Sequence, residues 1–156
     1  MEFKELIAAF AAKYGIEGLD GVDDVVELDV DGSRVELLDD QQTRSVVVCT
    51  EIGQPPPDAN GEFGAMMLKA NFMLRATDGA TLCQNPETGV YAIVRSFPLA
   101  LTDVASLVAG LESIVNQTEN WRKALVGLRK VESVRSMGQE PGSSHHDMLS
   151  SGYFHV

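Results

Sequence analysis

Two alternating segments on either side of Asp31 and Gly32 constrain the fold more than any other feature of this chain. VVELDV alternates apolar and polar residues before the pair, and SRVELL does the same after it. An Asp-Gly pair between two such runs favours a two-residue hairpin, because both residues tolerate the positive φ angles that this turn requires. The pattern therefore predicts an antiparallel sheet with one apolar face and one polar face.

Three further segments have the composition of strands and extend the predicted sheet to five. Residues 45–52 are apolar on both faces, which indicates a central strand. Residues 80–84 and 90–97 flank the turn NPETG, whose proline and glycine stand where turn geometry favours them. They predict a second hairpin.

Three other segments have the periodicity of amphipathic helices. The first covers residues 3–14. The second covers residues 62–77 with Asn60 as its N-cap, and the third follows Thr102 as its N-cap and carries an apolar stripe through Leu128.

The resulting order is α-β-β-β-α-β-β-α, which predicts an α+β fold with an antiparallel five-stranded sheet and three helices. We expect one domain over residues 1–135. Residues 136–156 are rich in Gly, Ser and His and predict a flexible C-terminal tail, because this composition cannot build a packed core.

The second helix carries two apolar stripes on nearly opposite faces. One contains Phe63, Met66, Met67, Ala70, Leu74 and Thr77, and the other contains Ala65, Leu68, Phe72 and Ala76. One stripe can pack on the sheet of the same chain, which leaves the other exposed. An exposed apolar stripe indicates a binding surface, and a homodimer is its simplest use. The alternative is a helix buried on both sides, with the third helix over its far face.

The charge of the chain argues against several kinds of partner. There are 23 acidic and 12 basic residues, and the formal net charge of −11 repels phosphate backbones and anionic lipids. We expect no nucleic acid partner and, since no apolar run approaches bilayer length, no membrane insertion. The absence of a signal-like N-terminal stretch and the isolated Cys49 and Cys83 favour a cytoplasmic location with free thiols.

The sequence contains no recognisable catalytic motif, such as a glycine-rich phosphate loop, a nucleophile elbow or a zinc-binding pair of histidines. Ten acidic residues lie within residues 17–40, and a metal-dependent enzyme built on them is a remote alternative. Their alternation with apolar residues favours solvated strand faces instead. We therefore predict no catalytic residues, no metal and no cofactor, and a protein that is not an enzyme.

Several segments together resemble the CesT/SycE-type, or Tir chaperone, family of bacterial type III secretion. They are FKELIAAFAAKYGIEGL, ELDVDGSRVEL, MLKAN, DGATL, VYAIVRSFPLALTD and LESIVNQTENWRKAL. The resemblance lies in their succession over residues 3–126. It implies a bacterial cytoplasmic homodimer that binds the N-terminal segment of a secreted effector and keeps it extended and export-competent. A secretion ATPase is a further candidate partner, and an adaptor or regulatory binding protein of the same fold is the alternative function.

The resemblance also suggests two sets of site residues. The effector-binding candidates are Phe3, Leu6, Ile7 and Phe10, with Val35 and Leu37 as weaker ones. The dimer-interface candidates are Leu68, Phe72 and Ala76 of the second helix and Thr81, Leu82 and Cys83 of the strand that follows. The alternative for the first set is that these side chains fill the core of the chain itself, and for Val35 and Leu37 this is the preferred interpretation.

Overall fold

The computed structural model describes residues 1–19, 24–55 and 61–137, with side chains through residue 128. These ranges contain the predicted three helices and five strands in the predicted order, so the α+β assignment is confirmed. The helices are α1 (Phe3–Tyr14), α2 (Glu62–Ala70) and α3 (Val104–Met137). The strands are β1 (Val25–Val30), β2 (Ser33–Asp40), β3 (Ser45–Gly53), β4 (Thr81–Gln84) and β5 (Tyr91–Pro98).

The strands form one antiparallel sheet in the order β1-β2-β3-β5-β4. The prediction that β3 is central is therefore correct, and β1 and β4 are the edge strands. The β1–β2 hairpin turns at Asp31 and Gly32, whose φ angles are +51° and +77°. The side chain of Asp29 accepts a hydrogen bond from the N–H of Gly32 at 2.9 Å, which closes the turn.

The core lies on one face of this sheet. The helix α3 packs on β3 and β5, and α1 packs beside α3. Val46 and Val48 of β3 are fully buried towards the helices, whereas Val47 and Cys49 on the other face are only half-buried. Helices of the described chain thus cover one face, and the second face carries charged residues in contact with solvent.

The start of α3 differs from the prediction by one residue. The carboxylate of Asp103 accepts a hydrogen bond from the N–H of Ser106 at 2.8 Å, so Asp103 is the N-cap. Thr102 was the predicted cap, but its hydroxyl donates to the carbonyl of Pro98 at 2.8 Å instead. The prediction was wrong because two adjacent residues could cap the helix, and Thr102 is turned back towards the preceding turn.

The second helix is shorter than predicted. α2 ends at Ala70, and a separate 3-10 turn follows at Phe72–Leu74. Met73 and Leu74 adopt φ angles of +60° and +54°, which no continuous right-handed helix permits. The expectation of a helix over residues 62–77 was therefore wrong beyond Ala70. Its predicted N-cap, Asn60, lies outside the described residues.

The predicted boundary between domain and tail lies within a helix. α3 continues through Met137, two residues past the expected end of the domain. The remainder of the predicted tail, residues 138–156, lies outside the described residues.

Candidate functional site

An apolar patch, consisting of Leu68, Phe72, Met73 and Leu74, lies outside the core of the chain. Leu68 is 73% exposed, Phe72 is 77% exposed and Met73 is 66% exposed. Phe63 and Met67, on the opposite side of α2, are buried. The two-stripe interpretation of this segment therefore describes its side chains well, except that the break after Ala70 places Leu74 in solvent rather than in the core.

The turn that carries the patch is held against the edge strand β4. The side-chain amide of Asn71 donates to the carbonyl of Leu82 and accepts from the N–H of Leu82, both at 2.9 Å. The buried hydroxyl of Thr77 donates to the carbonyl of Ala80 at 2.5 Å. These contacts stabilise a conformation in which Met73 and Leu74 have positive φ angles, a strain of about 1–2 kcal/mol for each residue.

The other predicted dimer residues occupy different environments. Ala76 and Thr81 are exposed and can contact a partner directly. Leu82 points into the core and is buried, and Cys83 is half-buried on the open face of the sheet. The backbone of Leu82 bonds to Asn71, so Leu82 supports the turn that carries the patch and is not itself part of the exposed surface.

An apolar groove lies between α1, the N-terminal part of α3 and the edge strand β1. It encloses about 240 Å³, and its apolar lining consists of Phe10, Tyr14, Ile16, Leu28, Val30, Val108 and Leu111. The rings of Phe10 and Tyr14 lie 5.2 Å apart between their centroids. Asp29, Asp31 and Glu112 form an acidic rim. The groove offers an apolar floor with a negative border along the edge strand β1, which pairs with β2 on one side and with no strand of the described residues on the other.

The predicted effector-binding residues belong to the core of the chain, which agrees with the alternative that they fill it. Phe3, Leu6, Ile7, Phe10, Val35 and Leu37 are all buried within the chain. Phe10 alone also lines the groove. Sequence reasoning missed Tyr14, Ile16 and Val108. The spacing of Tyr14 four residues after Phe10 was a usable signal, whereas the proximity of Val108 depends on tertiary packing.

A larger cavity, of about 590 Å³, lies on the open face of the sheet beside Cys49, Cys83 and the β4–β5 turn. Both thiols are free. Burial raises the pKa of Cys49 to about 11, and burial also raises the pKa of Cys83. Both groups are therefore neutral thiols near pH 7 and poor nucleophiles.

The acidic segment does not assemble a metal site in the part of the chain that the structure describes. There, no group of three or more His, Cys, Asp or Glu side chains is arranged to hold a metal ion. Glu27 forms an ion pair with Arg34, and Asp40 accepts hydrogen bonds from Thr43. These carboxylates stabilise a strand pair and a turn. In the same residues no helix is long and apolar enough to cross a membrane.

The sequence matches the family model of the Tir chaperone protein (CesT) family over residues 5–122. The chain belongs to the Tir chaperone (CesT) family. The resemblance inferred from the succession of segments is thereby confirmed. The match begins in α1 and ends in α3, so it includes both edge strands, the groove and the apolar patch.

Solved structures show the same fold at low sequence identity. The HopA1–SchA chaperone–effector complex contains a chain with 19% identity and a TM-score of 0.64, and the match covers 78% of this chain and 93% of that one. For the ExsC–ExsE complex the identity is 17% and the TM-score is 0.66, and the match covers 80% of this chain and 97% of that one. For the ExoU–SpcU complex of the type III secretion system of Pseudomonas aeruginosa the identity is 15% and the TM-score is 0.59, and the match covers 78% of this chain and 96% of that one. No curated protein sequence matches this chain.

Proposed function

We propose that this Tir chaperone-family protein is a non-enzymatic, homodimeric chaperone of type III secretion in the bacterial cytoplasm. It binds the N-terminal segment of one effector and keeps that segment extended until export. The observation that carries the proposal is that the described residues of this small domain leave two separate apolar surfaces uncovered, the patch at the end of α2 and the groove beside β1. Each surface suits a different partner.

The apolar patch is the proposed contact between two copies of the chain. Side chains as exposed as Leu68 and Phe72 favour burial against another polypeptide, since complete burial of each stabilises by about 1.5–3 kcal/mol. A two-fold dimer buries the same patch on both chains at once. Lys69 and Arg75 flank the patch and are exposed, so they remain in solvent at its border.

The groove and the β1 edge are the proposed site for the effector segment. In a two-residue hairpin the closing pair, Val30 and Ser33, exchanges hydrogen bonds, so the peptide groups of Glu27 and Asp29 point away from β2. An extended segment can pair with these groups as an additional strand. Its alternate side chains would then enter the groove between β1 and α1. The acidic rim favours a segment with lysine or arginine beside its apolar residues.

The test uses the N-terminal segment of each protein encoded beside the gene for this chain, purified as an unfolded fragment. We expect a complex of two chains with one fragment by light scattering. Replacing Ile16 in the groove with aspartate should weaken fragment binding, because a carboxylate would be buried among apolar groups beside an acidic rim. Val126→Ser, an exposed position on α3, is the matched control.

Two results would contradict the proposal. The first is a wild-type chain that remains a monomer at all concentrations measured. The second is a fragment that binds equally well to wild type and to Ile16→Asp. Binding to a folded partner, without binding to the unfolded fragment, would instead support the adaptor alternative.

A further inference from the structure

We propose that Asn71 is a positioning residue for pairing of the two chains. Its side chain points towards β4 and does not belong to the exposed patch, yet it determines where the patch residues stand. This inference rests on the homodimer proposed above and assigns the geometry of that interface to a residue that does not itself form it.

The contact between Asn71 and β4 replaces a missing strand neighbour. β4 is an edge strand, so the peptide groups that face away from β5 need other partners. The amide of Asn71 takes both such groups of Leu82, one as donor and one as acceptor, each at 2.9 Å. Ala80, two residues before Leu82, also bonds to this segment. Its carbonyl accepts from the Thr77 hydroxyl, and its N–H donates to the Thr77 carbonyl. The segment from Asn71 to Thr77 therefore occupies this edge.

These bonds determine the path of the chain between α2 and β4. The N–H of Asn71 still bonds to the carbonyl of Met67, so Asn71 is the last residue that follows the helix. Beyond it the chain passes through left-handed conformations at Met73 and Leu74. Neither residue type favours that region, and apolar spacing alone predicts a continuous helix. The bonds of Asn71 are tertiary contacts that favour the turn over the helix.

Whether the patch side chains point into solvent together depends on whether this segment forms the turn or a continuous helix. In a continuous helix Leu74 would share the buried face of Phe63 and Met67, and Met73 would lie about 100° around the helix axis from Phe72. In the observed turn Phe72, Met73 and Leu74 are all exposed together. Loss of the Asn71 bonds should therefore disperse the patch even though none of its side chains has been changed.

The experiment compares wild type with Asn71→Asp and Asn71→Leu, which have side chains of similar size. Asn71→Asp keeps an acceptor for the N–H of Leu82 but places a carboxylate oxygen beside the Leu82 carbonyl, where the two oxygens repel each other. Asn71→Leu removes both hydrogen bonds. The dimer dissociation constant is measured by sedimentation, and exchange of the Leu82 amide proton by NMR. We expect a dissociation constant increased by about tenfold or more in both variants, and faster exchange of the Leu82 amide proton in Asn71→Leu, which has no acceptor for it.

Thr118→Val is the matched control, because it also removes a hydrogen bond from a buried side chain to a backbone carbonyl, that of Ile114. We expect this control to lower the unfolding temperature while the dimer dissociation constant stays within about twofold of wild type. A dissociation constant within about twofold of wild type for Asn71→Leu, with faster exchange at Leu82, would overturn the positioning role and leave the dimer intact. A wild-type chain that is monomeric throughout would overturn the dimer itself.

Discussion

Replacing Phe72 with serine should separate the two chains of the proposed dimer while each chain stays folded. Phe72 is 77% exposed in the single chain, so the substitution removes little from the core. Burying about three quarters of one phenylalanine contributes about 1–2 kcal/mol, and a two-fold interface contains the side chain twice. The expected loss is about 2–4 kcal/mol of association free energy, which is roughly a 30- to 1,000-fold increase in the dissociation constant.

Sedimentation equilibrium over a range of concentrations measures this constant for wild type, Phe72→Ser and the control Val126→Ser. Val126 is also an exposed apolar residue, but it lies on α3 beside Arg122. Urea unfolding of the dissociated chains should give free energies within about 0.5 kcal/mol of one another, as is usual for surface substitutions. A dissociation constant of Phe72→Ser equal to that of wild type would refute the assignment of the patch to the dimer interface.

Three further predictions concern the fold and its titratable groups. Because burial raises the pKa of Cys49 to about 11, iodoacetamide at pH 8 should modify this cysteine far more slowly than it modifies the cysteine of an unstructured peptide. Mass spectrometry measures both rates, and equal rates would contradict the burial of Cys49. Gly110→Ala would place a Cβ atom in steric overlap with the ring of Phe97, so urea unfolding should show a loss of stability of about 1–3 kcal/mol that is absent in a Phe97→Leu background. The same loss in that background would exclude this contact as the cause. Hydrogen bonds from the hydroxyl and N–H of Ser106 lower the pKa of Asp103, so the carboxylate stabilises the fold above the unfolded-state pKa of about 4 and loses this effect as the pH falls through the lower folded-state pKa. The difference in urea midpoint between wild type and Asp103→Ala should therefore shrink over that pH range. A difference that is independent of pH would contradict the role of Asp103 as a helix cap.

Local patterns were sufficient for most of the fold. The hairpin at Asp31 and Gly32 was predictable because its turn depends on the φ preferences of two adjacent residues. The central position of β3 followed from apolar residues on both of its faces. The exposure of Leu68 and Phe72 followed from helical spacing, since two opposite stripes cannot both face one sheet.

The end of α2 was not predictable in the same way. The helical spacing of the stripe continues to Thr77, whereas the contacts that favour a turn at Met73 include the bonds from Asn71 to Leu82, eleven residues later. The groove is a similar case. Leu28 was placed correctly on the apolar face of its strand, but its place in a groove requires that β1 be an edge strand near Tyr14.

The sequence by itself determined which segments are helices and strands, and which face of each is apolar, because these properties depend on residues within a few positions of one another. The tertiary structure alone decided where the apolar stripes end and which of their members leave the core. Leu74 has the helical spacing of the buried Phe63 and Met67, yet it is exposed. Burial depends on what packs over a side chain, and for this protein those neighbours come from distant parts of the chain.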